Sequence, residues 1–437
     1  NPTFGPVSQY NANGKNLIHK NKPKEIAYRT IEWHWKQWHG RDTIDKSKLV
    51  DVPYKRYPRT FINPPSVELK ISLSAENEKI LITPIYIFGE TAKGTMESSK
   101  GTSTSSVTIQ LIARLLPPVY NGEVLQASHV RVVDHFAYVT YNTQGPRYLG
   151  GVDIVDISSP NDPNLISSAL FINQETNKGK DVSSVDAEFS PSATSNTIVW
   201  ITGSDETLDS AFVESYELNS SNQFESGQSL KLSLKGYVGT DVRFYNDKVY
   251  VTSGSGGGLT ILDNNMKEVS FLNLESARSV DVNKDFEIAL GGNPGHLYNP
   301  GLWDKEIGGA TDPGAKSIIR LYNKFALVAL GEEGLKCYDV SSSTPSLVSS
   351  LPRPAVPEGG DAWDYVTNGV SVSENGWVYI ANGAGGLDIA KIDSDGKLAW
   401  MGNVNLGASV NFVEANEDFV FVARGVLGLK ILKVTEK

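Results

Sequence analysis

Residues 150–168, "GGVDIVDISSPNDPNLISS", and residues 333–350, "EGLKCYDVSSSTPSLVSS", spell one phrase twice. Each runs glycine, a short apolar strand, an Asp, a Ser-rich turn ending in Pro, then Leu and a second strand. Recurrence of this kind marks stacked supersecondary units, none of which can bury its apolar face alone.

From residue 127 onward the chain divides into such units. The first reads "HVRVV", "FAYVTY", "GGVDIVDI" and "NLISSALF"; the third reads "TDVRFY", "KVYVTSGS", "GGLTILD" and "EVSFLNL". Short segments of alternating polarity, punctuated by Gly, Asn, Asp and Ser, are antiparallel hairpins. Several four-stranded units in series predict an all-β fold, a seven-bladed β-propeller of four-stranded antiparallel blades. The fourth unit fits worst, because Pro300 in "HLYNPGLWD" weakens that segment as a strand. The seventh, "ASVNFVEA", "DFVFVARG" and "LGLKILKV", is one strand short. Residues 107–116, "VTIQLIARLL", carry a fourth-strand pattern and are expected to close the ring from the N-terminal side. The division that follows is an N-terminal arm or small β region, 1–106, and a propeller, 107–437.

The Gly pairs 150–151, 257–258 and 385–386 precede third strands, where a tight turn favours residues tolerant of positive φ. Asp156-Ile157-Ser158 and Asp339-Val340-Ser341 suit side-chain-to-backbone turns rather than catalysis. Cys337, the one cysteine, lies in a predicted strand and reads as a buried thiol.

"VDIVDI", "LTILD", "LKCYDV" and "LDIAKI" give these units a resemblance to the LVIVD-repeat family of bacterial cell-surface proteins, over roughly residues 107 to 437. The resemblance implies a propeller on the extracellular face of the envelope, associated with the outer membrane, and a lipoprotein anchored through an N-terminal Cys that this sequence does not contain. It implies no catalytic residues.

Charge is unevenly placed. Residues 1–60 hold 12 Lys/Arg against 5 Asp/Glu, and the remainder holds 28 against 45. An acidic body argues against nucleic acid as partner, since phosphate binding needs a positive face. No run approaches the ~18 apolar residues of a spanning helix. The N-terminus, without Met or a signal pattern, reads as a mature or trimmed chain.

"IEWHWKQWHG", residues 31–40, holds three of the eight Trp and two of the six His. A strand or a helix both fit it. His34 and His39 are badly spaced for a metal on either element. Trp33, Trp35 and Trp38 form a partner-facing arm in one reading and pack on the propeller in the other. Residues 67–73 and 79–89 are expected to pair with each other, with a polar linker over 93–106.

In a propeller, the segments before each first strand gather around the central channel. They place His129, Asp241, Arg278, Lys316 and Asn368 at a funnel mouth. At the middle of successive innermost strands stand Arg131, Asp186, Arg243, Asp281, Arg320, Ser371 and Asn411, and the sign alternates over the first five. A ladder of inter-blade ion pairs is expected, because alternation offsets part of the desolvation cost of each charge.

Two long insertions, 291–314 and 352–369, are expected to be neighbours and to form the binding surface. The first offers His296, Tyr298, Trp303 and Asp304; the second offers Glu358, Asp361, Trp363, Asp364 and Tyr365. Aromatics among carboxylates suit sugar stacking or a protein hot spot. No P-loop, G-x-S-x-G, HExxH or dinucleotide motif occurs, "DSDG" at 393–396 reads as a hairpin turn, and no cofactor is called for. The expectation is a non-enzymatic scaffold that binds an envelope protein or a glycan. The alternative is a polysaccharide-degrading enzyme with its carboxylates among Glu358, Asp361, Asp364 and Asp304.

Overall fold

The structure, a computed structural model, describes Val67–Ser74, Ile85–Tyr86, Thr95–Met96 and residues 104–436, apart from 144–146, 161, 174–175, 190–195, 226–228, 310–315 and 407–408. Seven antiparallel sheets follow one another along the chain, forming a seven-bladed β-propeller. Blades 1 to 6 each use four consecutive strands, beginning at Gln126–Val133, Lys180–Glu188, Gly239–Tyr245, Ser279–Val282, Ile319–Tyr322 and Gly369–Val372. Blade 7 has Phe412–Asn416, Phe419–Ala423 and Leu429–Glu436, and Thr104–Leu115 pairs with the last of these as its fourth strand.

Thr104–Leu115 also shows how one strand serves two seams. Its register against Leu429–Glu436 shifts between Leu111 and Ala113. A strand's side chains alternate, so one extra residue moves all later ones to the opposite face. Ile109 and Leu111 therefore pack with blade 6 residues such as Trp377 and Tyr379, while Ala113 and Leu115 pack with blade 1 residues Val130 and Val139. Every other seam has its own apolar cluster, for example Tyr138 and Ile154 against Val185 and Phe212 between blades 1 and 2. Backbone bridges Gly331–Thr367, Gly383–Val410 and Gly425–Ala127 stitch the three seams from blade 5 round to blade 1.

Upstream, Val67–Ser74 pairs antiparallel with Thr104–Leu115, and Thr95–Met96 adds parallel to it. Ile85–Tyr86 joins the outer strand of blade 6 instead. The expected pairing of 67–73 with 79–89 is thus replaced by extension of two blades. The remainder of 1–66, with Trp33, Trp35 and Trp38, lies outside the described residues.

Blade 4 is complete. His296–Asn299 and Trp303–Glu306 are its third and fourth strands. Pro300 falls in the turn between them, where Leu302 N–H donates to Asn299 O and Gly301 has φ of 76°. Pro then Gly at the two central positions is what a type II turn takes. Within the stretch read as an insertion, residues 296–306 are therefore a hairpin of the blade. The third-strand glycines also differ from expectation: Gly386 does have positive φ, but a Cβ on Gly150 would meet Lys180 O at 2.7 Å. Close approach between blades, not turn geometry, requires glycine there.

The Asp turns are structural. Asp156 Oδ1 accepts from Ser158 N–H, Asp339 Oδ1 from Ser341 N–H, and Asp393 Oδ1 from the N–H groups of Asp395 and Lys397. Cys337 is buried, and burial pushes its thiol up to about 12.

Candidate functional site: the charged channel and the blade 5–6 loop

Each innermost strand places one residue between two apolar neighbours at the same height around the axis. In blades 1 to 6 these are Arg131, Asp186, Arg243, Asp281, Arg320 and Ser371, opposite Tyr138, Trp200, Tyr250, Ile288, Leu327 and Tyr379 of the second strands. In blade 7 the equivalent residue is Glu414, opposite Phe421, and not Asn411. The correction has a simple cause. Val410-Asn411-Phe412 and Val413-Glu414-Ala415 both fit the apolar-x-apolar frame, and only the pairing register selects between them.

With Glu414 in place the charges of blades 7, 1 and 2 join into one ion-pair run. Arg131 Nε lies 2.9 Å from Asp186 Oδ1, and its NH1 lies 2.7 Å from Glu414 Oε1, spanning the seam between blades 1 and 7. Arg243 Nε reaches Asp281 Oδ1 at 3.3 Å. The second carboxylate oxygens accept backbone N–H groups of the next blade: Phe244 to Asp186 Oδ2 at 2.9 Å, and Leu321 to Asp281 Oδ2 at 2.7 Å. Ser371 does the same work without charge, its Oγ accepting from Ala415 N–H at 2.9 Å. A ring of seven cannot alternate two signs without a clash, and the neutral Ser371 absorbs the mismatch.

Two residues nearer the mouth on each strand stand His129, Ser184, Asp241, Ser279, Ile318, Gly369 and Phe412. Phe412 is the hub of this layer. The His129 ring lies 4.0 Å away, with the Arg320 guanidinium at 5.3 Å and Lys316 Nζ at 5.7 Å from its centroid. Lys316 Nζ crosses from blade 5 to Ser183 O of blade 2 at 3.0 Å. The expected funnel mouth is thus an interior layer: His129, Asp241, Arg278 and Asn368 are all buried, and Lys316 alone of the five keeps some exposure.

Burial and charge set the protonation states. Burial, then Lys316 and the three arginines of the ring, drive the His129 pKa well below its usual value, so the imidazole is neutral. Burial would raise Asp241, but Arg243, Arg320 and hydrogen bonds from Ser279 and Ser184 outweigh it and hold the carboxyl below the usual range. Lys316 falls to about 7, chiefly through burial of its ammonium end, with Asp241 opposing.

The other candidate residues separate into two groups. His296, Tyr298 and Asp304 lie on the outer hairpin of blade 4, with His296 Nδ1 2.6 Å from Asp304 Oδ1 and its ring stacked on Tyr298. Trp303 belongs to packing, against the apolar cluster between blades 4 and 5. In the second group, residues 352–369 form a true loop containing the short helical turn Ala362–Tyr365. Asp361 caps it, accepting from Trp363 N–H, and Arg353 NH1 donates to Ala362 O at 2.8 Å. Trp363 is 52 % exposed, while Asp364 and Tyr365 are buried. Burial, with Asp361 beside it, lifts the Asp364 carboxyl to about 7. Glu358 is exposed. Between the two groups lies the turn 331–334 of blade 5: Glu332 pairs with Arg353 at 3.7 Å on one side, and Glu333 lies against Gly309 on the other.

Sequence reasoning missed a recess of about 660 Å³ at the far end of the inner strands, lined by turns 283–286 and 321–324 and by 372–374. Its Asn, Asp and Lys turn residues carry no distinctive motif. Among the described residues no cluster of three His, Cys, Asp or Glu side chains could hold a metal, and no helix is long and apolar enough to cross a membrane.

No family model and no curated protein matches the chain. Among solved structures, a computationally designed protein, Ika8, aligns over 73 % of this chain and 98 % of its own, with 10 % identity and a TM-score of 0.43. The WD40 β-propeller domain of Doa1 aligns over 74 % of this chain and 97 % of its own, with 12 % identity and a TM-score of 0.48.

Proposed function

We propose that this propeller is a non-enzymatic binding scaffold, displayed on a bacterial cell surface, that holds an envelope protein or a glycan. Trp363 carries the reading. It presents a large apolar face to solvent from a loop whose backbone is fixed by the Asp361 cap, the Arg353 hydrogen bond and the Ala384-to-Asp364 backbone bond at 2.6 Å. A rigid, exposed Trp beside Arg and carboxylates has the chemistry of an interface anchor, because little ordering entropy is lost when it is covered. The LVIVD-like repeat supports the surface setting and an anchored lipoprotein.

The carboxylates argue against the hydrolase reading. Asp361 is occupied as a cap, and Asp304 is held by His296 on a different blade element. Asp364 has the raised pKa of a general acid, but the residue is 2 % exposed.

The test is sedimentation of the purified chain with isolated bacterial envelopes and with insoluble polysaccharides, for wild type and Trp363→Ala. Binding at least about tenfold weaker for the variant is expected, the cost of losing one aromatic anchor. Equal binding by both proteins, or release of soluble sugar by wild type and not by Asp364→Asn, would contradict the proposal.

A further inference from the structure

Arg320 is the cation that the ring leaves without a carboxylate. It is 6 % exposed, and its NH1 donates to the neighbouring Ile319 O at 2.7 Å. Its Nε and NH2 have no partner among the described residues. Asp281, the carboxylate beside it in the ring, is taken by Arg243 and by Leu321 N–H. On its other side stands the neutral Ser371.

Other unsatisfied donors occupy the same layers. Arg243 is 2 % exposed and its NH2 is unpartnered, and both ring nitrogens of the wholly buried His129 are unpartnered. After burial, Arg243 exerts the largest charge effect on Arg320, a like-charge repulsion that lowers its pKa. His129 and Arg320 meet over the same Phe412 ring.

Buried donors of this kind are costly unless they meet acceptors. A guanidinium edge, Nε with one NH2, is shaped for two oxygens of one anion, and a second arginine supplies a further donor. A neutral imidazole can donate one N–H to the same group. We infer that the central channel holds a small oxyanion, a phosphate, a sulfate or a carboxylate group, between Arg320, Arg243 and His129. The anion adds to Asp241, whose Oδ1 lies 3.7 Å from Arg243 NH1, the negative charge that the seven-membered ring lacks next to Ser371, and it offsets the repulsion between the two arginines.

The experiment is calorimetric titration of the full chain in Tris chloride with sodium phosphate, sulfate or acetate, the ionic strength held constant with sodium chloride. Saturable one-to-one binding of at least one of the three is expected, and their rank separates a tetrahedral dianion from a carboxylate. Arg320→Gln is expected to bind that anion roughly 10- to 100-fold more weakly, the loss of a charge-assisted bidentate contact. Arg320→Lys keeps the charge but not the fork and is also expected to bind more weakly; it carries the test if the Gln variant does not fold. Binding unchanged in the variants, or no saturable binding of any of the three anions by wild type, overturns the inference.

Discussion

Arg131 and Arg320 stand at the same height on the first strands of blades 1 and 5, yet their surroundings are opposite. Arg131 has a carboxylate on either side, at 2.9 and 2.7 Å. Burial works against its charge, but Asp186, Glu414 and Asp281 outweigh that and raise its pKa. Arg320 has no carboxylate within ion-pair distance among the described residues, and burial with repulsion from Arg243 lowers its pKa. The same residue in the same backbone position therefore takes its energetics from its neighbours around the ring. The difference arises from arithmetic: in a ring of seven alternating charges one position must be neutral, and the cation beside it is short of a partner.

The largest test breaks the satisfied side. Arg131→Met leaves two buried carboxylates without their cation and is expected to cost about 3–5 kcal/mol, the penalty for orphaning a buried charge; urea denaturation measures it. Asp364 extends the comparison to a buried carboxyl that has no ion pair among the described residues. Its pKa of about 7 lies above its ordinary value, so the folded state binds the extra proton between the two. Stability from this group is fully present below about pH 4 and is lost as pH rises toward 7. Asp364→Asn should remove that slope, so the difference between wild type and variant in melting temperature changes with pH across this window and is flat above it.

The Ser371→Ala variant loses the acceptor for Ala415 N–H and is expected to cost about 1 kcal/mol. Arg320→Met, in buffer free of oxyanions, should shift stability by less than about 1 kcal/mol in either direction, because it removes a buried charge that has no ion pair to lose. A cost for Arg320→Met equal to that for Arg131→Met would erase the comparison.

Much of this was readable from the residues. The blade order, the closing strand and five of the ring charges follow from apolar alternation and from the spacing of the repeat. The seventh ring residue did not, because Asn411 and Glu414 sit in equivalent-looking frames and only hydrogen-bond register separates them. Blade 4 was obscured by Pro300, which breaks a strand by rule but here occupies the turn between two strands. His296 and Asp304 looked like loop residues for the same reason. Phe412 drew no notice as a lone aromatic in an apolar run, although three blades meet on it. Contacts across the axis join residues such as Lys316 and Ser183, far apart in the chain, and no local pattern encodes them.

Closure of the ring underlies all of this, since Arg131 reaches Glu414 only if blades 1 and 7 meet. Gln110 on Thr104–Leu115 lies opposite Lys433 of the C-terminal strand. Cα atoms of directly opposed antiparallel residues are about 4.5–5.5 Å apart, within disulfide range. Mild oxidation of the Gln110→Cys, Lys433→Cys double variant should give an intramolecular crosslink in the monomer, identified by mass spectrometry of the linked peptides. Recovery of both cysteines as free thiols in folded protein, or linkage only between molecules, would contradict a propeller closed by its N-terminal strand.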